Sequence, residues 1–251
     1  MFDLSDRIAL VTGGNGGIGL GMARALGQAG ATLIIVGRNP EKSAAAVRDL
    51  QSLGLRAESL ACDVAQEAEV LRLFTEVQSR HGRLDILVNN AGSTVRKQPQ
   101  DFTLAVWKSV MDLNLTGAFL CARAAYPLMK KAGRGKVINI GSILSLFGAP
   151  YAAAYSASKG GIVQLTKSLA LAWAKDDIQA NAVLPGWIDT ERTVGAREQV
   201  AGLNERVLAR TPAGRWGVPQ DLAGVAVFLA SAASDFVTGA AIPVDGGYAA
   251  A

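Results

Sequence analysis

The chain has little of what builds metal centres, disulfide frameworks or nucleophilic triads. It carries two cysteines, Cys62 and Cys121, and one histidine, His81, in 251 residues. Two unpatterned cysteines make no disulfide framework, and a metal site needs clustered ligands, so both are expected to be reduced, small apolar side chains and no metal is expected. His81 lies in the polar turn SRHGRLD and is expected at the surface; Ser-His-Asp or Cys-His chemistry would have to use this one residue. No run of basic residues exists that would track a phosphate backbone: 25 Lys and Arg are interspersed with 21 Asp and Glu, leaving a formal charge of +4. Nucleic acid is therefore not an expected partner. The longest uncharged stretch, between Lys136 and Lys159, is broken by Asn139, Pro150 and several Gly and Ser, and reads as buried strand and loop rather than a membrane span. The opening MFDLSDRIALVTGG has acidic residues where a signal peptide is basic, so a soluble, cytoplasmic protein is expected.

What is present is a core and a rhythm. Half of the residues are hydrophobic, ample for one domain spanning 1–251. Apolar runs at 8–12, 32–36, 57–61, 86–90, 137–140 and 180–184 alternate with amphipathic stretches such as 18–29, 40–53 and 66–80, the second opened by Pro40. Uniformly apolar strands are buried on both faces, which predicts an α/β fold, a Rossmann-like doubly wound parallel sheet. The rhythm breaks once, near residues 187–217, where a charged, helix-forming segment follows a strand end. Such ends carry ligand sites, so this segment reads as a helical substrate lid or as an exposed helical pair.

TGGNGGIG, residues 12–19, joins the first strand to the first helix. Gly13, Gly17 and Gly19 stand where side chains would keep the backbone from a pyrophosphate, and the helix N-terminus presents unpaired N–H groups to that anion. With this TGxxxGxG spacing the chain resembles the short-chain dehydrogenase/reductase family. The resemblance continues in order through Asp63-Val64, NNAG at 89–92, Asn114, Ser142, Tyr155 with Lys159, and Pro185-Gly186. It implies a dinucleotide held by Gly13, Asn15, Gly17, Ile18, Gly19, Arg38, Asn39, Asp63, Val64, Asn90, Ala91, Gly92, Tyr155, Lys159, Pro185, Gly186, Ile188 and Thr190. Cofactor choice turns on the end of the second strand, IIVGRNPEK. An acidic residue there would bond the ribose 2′-hydroxyl of NAD and repel the 2′-phosphate of NADP. Gly37 stands where NAD-using relatives tend to carry Asp, and Arg38 follows, so NADP is expected over NAD. Arg38 is alternatively a surface arginine, since position 16, where some NADP-using relatives place a second basic residue, is glycine.

A carbonyl reduced by hydride needs a proton, and an alcohol being oxidised must lose one. Tyrosine holds that proton with an unperturbed pKa of ~10, and a cation nearby favours the phenolate. In YAAAYSASKGG, Lys159 follows Tyr155 by one helical turn, whereas Tyr151 lies in the approach to the helix behind Pro150. The resemblance makes Tyr155 the general acid/base, Lys159 the cation that supports it, Ser142 a hydrogen-bond partner of the substrate oxygen, and Asn114 a helix-kinking link from Lys159 to solvent. Ser142 alternatively caps a turn, and Asn114 alternatively satisfies backbone in a helix break.

Substrate identity lives in the loops after Gly92, Ser142 and Gly186. Leu144, Phe147, Tyr151 and Trp187 are candidate pocket walls or lid packing; Arg96, Lys97 and Arg192 would meet a carboxylate or form a solvated rim. Through NNAGSTVRK and GSILS the chain resembles most the branch of gluconate 5-dehydrogenases and 2-deoxy-gluconate 3-dehydrogenases. That implies an enzyme interconverting a secondary alcohol and a ketone on a small polar molecule such as a sugar acid or polyol, and commonly a homotetramer. A 3-oxoacyl-carrier-protein reductase is the rival within the enzymes, although Asp176 and Asp177 would repel an acidic carrier. A catalytically silent nucleotide-binding protein would be expected to lose the pair Tyr155/Lys159 or Ser142, and all are present.

Overall fold

In a computed structural model of the chain the apolar runs become one seven-stranded sheet: β1 (Ile8–Thr12), β2 (Thr32–Gly37), β3 (Ala57–Ala61), β4 (Ile86–Asn89), β5 (Gly135–Ile140), β6 (Ile178–Pro185) and β7 (Ala241–Val244). The structure describes residues 1–199 and 201–251, apart from the side chains of residues 192, 196, 198 and 199. Every pairing is parallel, in the order β3-β2-β1-β4-β5-β6-β7. The chain winds outward from β1 to β3 and then returns to place β4 on the other side of β1. The crevice between β1 and β4 is the switch point at which such sheets bind ligands.

The helices are α1 (Gly17–Gln28), α2 (Pro40–Ser52), α3 (Glu67–His81), α4 (Leu104–Met111), α5 (Gly117–Lys131), α6 (Ala153–Trp173), α7 (Glu191–Gln199), α8 (Leu203–Arg210) and α9 (Ala223–Ala230). Their starts follow from local chemistry. Asn39 caps α2 by accepting from the Lys42 N–H at 2.9 Å, with Pro40 in the first turn. Thr103 caps α4 in the same way. α3 carries Glu67 and Glu69 at its positive end, Arg80 and His81 at its negative end, and Gly82 in the left-handed conformation that stops it.

Alternating strand residues feed two cores. Leu10, Leu87 and Val137 face α3, α5 and α6, while Ala9, Val11, Ile86, Val88 and Ile138 face α1 and α9. Each fully buried Leu or Ile contributes about 1.5–3 kcal/mol. The edge strands β3 and β7 are less buried, as one-sided neighbours require. Cys62 and Cys121 are free and buried in the first of these cores.

Three expectations are revised. His81 is not a free surface residue: it is partly buried and its Nε2 lies 2.5 Å from Glu58 Oε1, a pairing between α3 and β3 invisible in the turn sequence. After Pro219 the chain makes a tight turn, Pro219–Leu222, before α9. Asp221 braces the turn by accepting from the Val218 N–H at 2.8 Å and from Arg215 at 2.7 and 2.8 Å. The helix around Asn114 is not simply kinked; α4 runs into α5 through a π-helical stretch, Asp112–Thr116. The segment 187–217 does more than project into solvent. Leu203, Val207 and Trp216 bury a small core of their own, against which Trp187 and Leu208 pack. Among the described residues no helix is long and apolar enough to cross a membrane.

Candidate active site

A cleft of about 650 Å³ opens at the C-terminal ends of β1, β4, β5 and β6. Its floor begins with the glycine turn. Gly13 and Gly17 have φ of 62° and 50°, values that favour glycine, and they let the chain reverse tightly into α1. The first turn of α1 has no side-chain cap and no acidic residue, so its N–H groups and its positive end stay open to an anion. Gly19 serves packing rather than the cleft: a methyl group there would lie 2.4 Å from Asn90 Nδ2 and from the Gly13 carbonyl oxygen.

The turn is locked to the end of β4. The backbone N–H groups of Asn90 and Ala91 each donate to Thr12 Oγ1 at 3.0 Å, and Asn90 Nδ2 donates to the Thr12 and Gly13 carbonyls, both at 3.0 Å. Beneath it, Asn89 Nδ2 donates to Asn139 Oδ1 at 2.9 Å and Asn139 Nδ2 to Thr166 Oγ1 at 2.9 Å, tying β4, β5 and α6 together with buried amides. Such a network fixes the strand ends in one register.

At the other end of the cleft stand Ser142, Tyr155 and Lys159. Tyr155 is half-buried on α6, and the Lys159 ammonium lies 5.7 Å from the centre of its ring. Lys159 is buried and donates to the Ile140 carbonyl at 2.6 Å, so the end of β5 holds it. Ser142 caps the short turn Ile143–Ser145, accepting from the Leu144 N–H at 3.1 Å, and also faces the cleft; its two sequence readings are compatible. Ser145 fastens that turn to α6 by donating to the Lys159 carbonyl at 2.7 Å.

Asn114 does not line the cleft. Its Oδ1 accepts from the Ser93 N–H at 2.8 Å, and its Nδ2 donates to the Ser93 carbonyl at 2.9 Å and to Ser158 Oγ at 3.0 Å. It thus stitches the π-helical stretch to the loop after β4 and to α6, directly behind Gly92. A methyl group on Gly92 would meet Asn114 Oδ1 at 3.1 Å and Lys159 Nζ at 3.5 Å.

The remaining expected residues divide. Asn15, Ile18, Ala91, Gly92, Pro185, Gly186, Ile188 and Thr190 line the cleft, as do Arg96, Leu144, Tyr151 and Trp187. The loops bearing Arg96 and Tyr151 are joined by the Lys97 N–H donating to the Tyr151 carbonyl at 3.0 Å. Arg38, Asn39, Asp63 and Val64 lie outside the lining: Arg38 is 66% exposed, 3.6 Å from Asp63, Asn39 caps α2, and Val64 is buried against Gly117. Phe147 also lies outside, stacked on the Arg210 guanidinium at 4.9 Å, whose other neighbour is the Tyr248 ring at 4.5 Å. The Arg192 side chain is outside the described residues. The sequence reading missed Thr12, Ser93 and Ser158 as positioning groups, and Lys42 and Glu191 as lining residues. Thr12 opens the quoted glycine motif, and that was the one signal available; the others depend on contacts across the fold.

Asp176 looks different in three dimensions. It accepts from the Tyr126 hydroxyl at 2.7 Å and pairs with Lys130 at 3.3 Å, and these partners hold its carboxyl below the usual range. Its repulsion of an acidic carrier is therefore partly neutralised.

The arrangement pairs a pyrophosphate-shaped glycine turn with a phenol, an ammonium and a hydroxyl at one cleft, the equipment for proton-coupled hydride transfer. Comparison with known proteins agrees. The family model described as enoyl-(acyl carrier protein) reductase matches residues 13–249. A 2-dehydro-3-deoxy-D-gluconate 5-dehydrogenase of Bacillus subtilis (strain 168) is 42% identical over 98% of this chain and 96% of its own length. A cis-4-hydroxycyclohexanecarboxylate dehydrogenase of Sinomonas cyclohexanicum is 38% identical over 98% of both chains. The crystal structure of a gluconate 5-dehydrogenase from Burkholderia cenocepacia J2315 in complex with NADP and tartrate superposes with a TM-score of 0.95 at 44% identity, over 100% of this chain and 98% of that one. The chain belongs to the short-chain dehydrogenase/reductase family.

Proposed function

We propose that this protein is an NADP-dependent dehydrogenase that interconverts a secondary alcohol and a ketone on a hydroxylated carboxylic acid of the gluconate type, with residues 1–251 acting as one catalytic domain. The observation that carries the reading is the common cleft of Ser142, Tyr155 and Lys159 with the glycine turn. The relatives' substrates support the acid: gluconate derivatives and a 4-hydroxycyclohexanecarboxylate bear a carboxylate together with a secondary alcohol several carbons away. Arg96, which lines the cleft, is our candidate cation to meet it.

The glycine turn fits a dinucleotide, since it lines the cleft without side chains and the α1 terminus carries no side-chain cap or acidic residue against a diphosphate. Gly13, Asn15, Gly17, Ile18, Asn90, Ala91, Gly92, Pro185, Gly186, Ile188 and Thr190 would hold NADP, with Arg38 on its 2′-phosphate, Asp63 and Val64 toward its base, and Gly19 and Asn39 shaping the turns. When bound, the reduced nucleotide would supply the hydride and the oxidised one would accept it. Tyr155 gives a proton to the carbonyl oxygen during reduction and takes it back during oxidation. The Lys159 ammonium favours negative charge on the phenol oxygen between those events. Ser142 donates to the reacting oxygen and orients it. Asn114 acts through Ser93 and Ser158 as a positioning residue. Leu144, Tyr151 and Trp187 form the apolar walls; Phe147 and Arg192 act from the loop and lid.

NADPH oxidation over 5-keto-gluconates, other keto acids, diketones and 3-oxoacyl thioesters, with NADP reduction over gluconates and polyols, tests the reading. Turnover is expected on a keto sugar acid, and Tyr155→Phe should lower kcat by about 10²- to 10⁴-fold. Preferred turnover of an acyl thioester would favour the carrier-protein reductase instead, and near wild-type activity of Tyr155→Phe would remove Tyr155 from its role. We assign the protein to the cytoplasm and to a homotetramer. The exposed Phe119 on α5, Leu171 on α6 and Phe236 support a covered apolar surface, and light scattering measures the mass.

A further inference from the structure

Lys42 closes the stretch IIVGRNPEK, where the sequence assigns nucleotide roles only to Gly37, Arg38 and Asn39, yet its side chain lines the cleft. It projects from the first turn of α2 toward the glycine turn: a methyl group built on Gly16 would meet Lys42 Cε at 3.2 Å and Nζ at 3.3 Å. A cation from α2 thus occupies the space that a basic side chain at position 16 would fill. The end of β2 belongs to the same cluster. A methyl group on Gly37 would meet Asn15 Nδ2 at 2.4 Å and Ser43 Oγ at 3.1 Å, and Asn15 Nδ2 donates to Ser43 Oγ at 3.0 Å. The end of β2 is where the ribose 2′ position is recognised in this architecture, so Lys42 stands beside that position. Its ammonium is engaged from the far wall by the first residue of α7, donating to Glu191 Oε2 at 2.7 Å.

We propose that Lys42 is a second cation for the 2′-phosphate of NADP, and that Glu191 holds it until the phosphate takes the place of the carboxylate. The inference rests on the NADP reading above. The exchange is easy on physical grounds. Lys42 and Glu191 side chains are 45% and 81% exposed, a setting in which ion pairs are weak. A phosphate monoester carries about 1.5 to 2 negative charges near neutral pH and accepts through three oxygens, so it outcompetes one exposed carboxylate. Gly16 has no side chain, and that lets the Lys42 ammonium lie directly against the glycine turn. A consequence is that α2 at the nucleotide end and α7 at the lid share one ion pair, which filling the phosphate subsite releases.

Calorimetric titration of the full chain with adenosine 2′,5′-bisphosphate and with 5′-AMP reads this without turnover. Wild type should prefer the bisphosphate by about tenfold or more, Lys42→Met should lower that preference about fivefold to tenfold with 5′-AMP binding within about twofold of wild type, and Lys42→Arg should restore it. Glu191→Gln should strengthen bisphosphate binding about twofold to threefold, and that gain should vanish in the Lys42→Met background. All are changes at solvent-reaching positions, and circular dichroism confirms the fold. A wild type without preference overturns both the NADP reading and this inference. A wild-type preference kept intact in Lys42→Met, or lost together with 5′-AMP binding, overturns the role of Lys42 alone. A Glu191→Gln gain that persists without Lys42 overturns the exchange.

Discussion

Replacing Gly37 by Asp installs the carboxylate with which an NAD site holds its ribose, and the structure predicts that the replacement alone will fail to convert the cofactor preference. Gly37 has no positive φ, so its backbone tolerates a side chain. Space does not: the new Cβ would lie 2.4 Å from Asn15 Nδ2. Asn15 must turn away and lose its bond to Ser43, at a cost of about 0.5–1.5 kcal/mol. That offsets most of what a new hydrogen bond to the ribose contributes, so NADH affinity should change by less than about threefold. NADPH suffers a further penalty. A unit charge pair 4 Å apart costs between about 1 kcal/mol in water and about 4 kcal/mol at an intermediate dielectric, and at this wet site about 2 kcal/mol is expected, roughly a 30-fold rise in Kd. Adding Asn15→Ala removes the tightest contact and leaves the Ser43 hydroxyl at 3.1 Å, and the double variant should bind NADH about twofold to tenfold more tightly than Gly37→Asp. Fluorescence titration of both nucleotides against the single and double variants reads all four constants. A single variant that gains NADH affinity as fully as the double one would refute the steric reasoning.

Further outcomes follow from other contacts. Asn114→Ala removes three hydrogen bonds behind the active site, so it should cost about 3 kcal/mol and lower Tm by roughly 6–12 °C; a drop under about 2 °C by differential scanning fluorimetry would contradict that count. Asp221 is held at about 2, chiefly by the Arg215 guanidinium. A depressed folded-state value gives stability that is complete above the unfolded value near 4 and disappears as pH falls toward 2. The Tm gap between wild type and Asp221→Asn should therefore be constant above about pH 4 and close between 4 and 2; a gap that widens there would invert the sign. Burial pushes the Cys62 thiol up to about 12 and the Cys121 thiol higher still. Neither should react with a thiol-disulfide reagent in the native protein, and both should react after unfolding; rapid native labelling of either would contradict the packing.

Much of the architecture is legible along the chain because it depends on residues close together. The apolar runs mark β1, β2 and β4 to within a residue, since a strand buried on both faces is mostly apolar and admits polar side chains such as Thr12 and Asn89 only where they are hydrogen-bonded at its end. Tyr155 and Lys159 share a helix face by their spacing alone, and the glycines announce a turn that only a small residue fits. Other features depend on encounters. Asn114 meets Ser93 and Ser158, 21 and 44 residues away. Lys42 meets Glu191 across 149 residues. His81 reads as a surface residue until β3 brings Glu58 beside it, and Asp176 reads as a repulsive charge until Tyr126 and Lys130 engage it.

Local spacing thus determines the elements, the nucleotide turn and the identity of the proton-transfer pair, because periodicity and backbone sterics act within a few residues. The tertiary structure decides how that equipment is held and tuned. It hangs the Lys159 ammonium from the Ile140 carbonyl, locks the glycine turn through Thr12 and Asn90, and brings a cation from α2 to the empty side of Gly16. Those contacts join residues far apart in the chain, and they exist only once the sheet has set β1, β4 and β5 side by side.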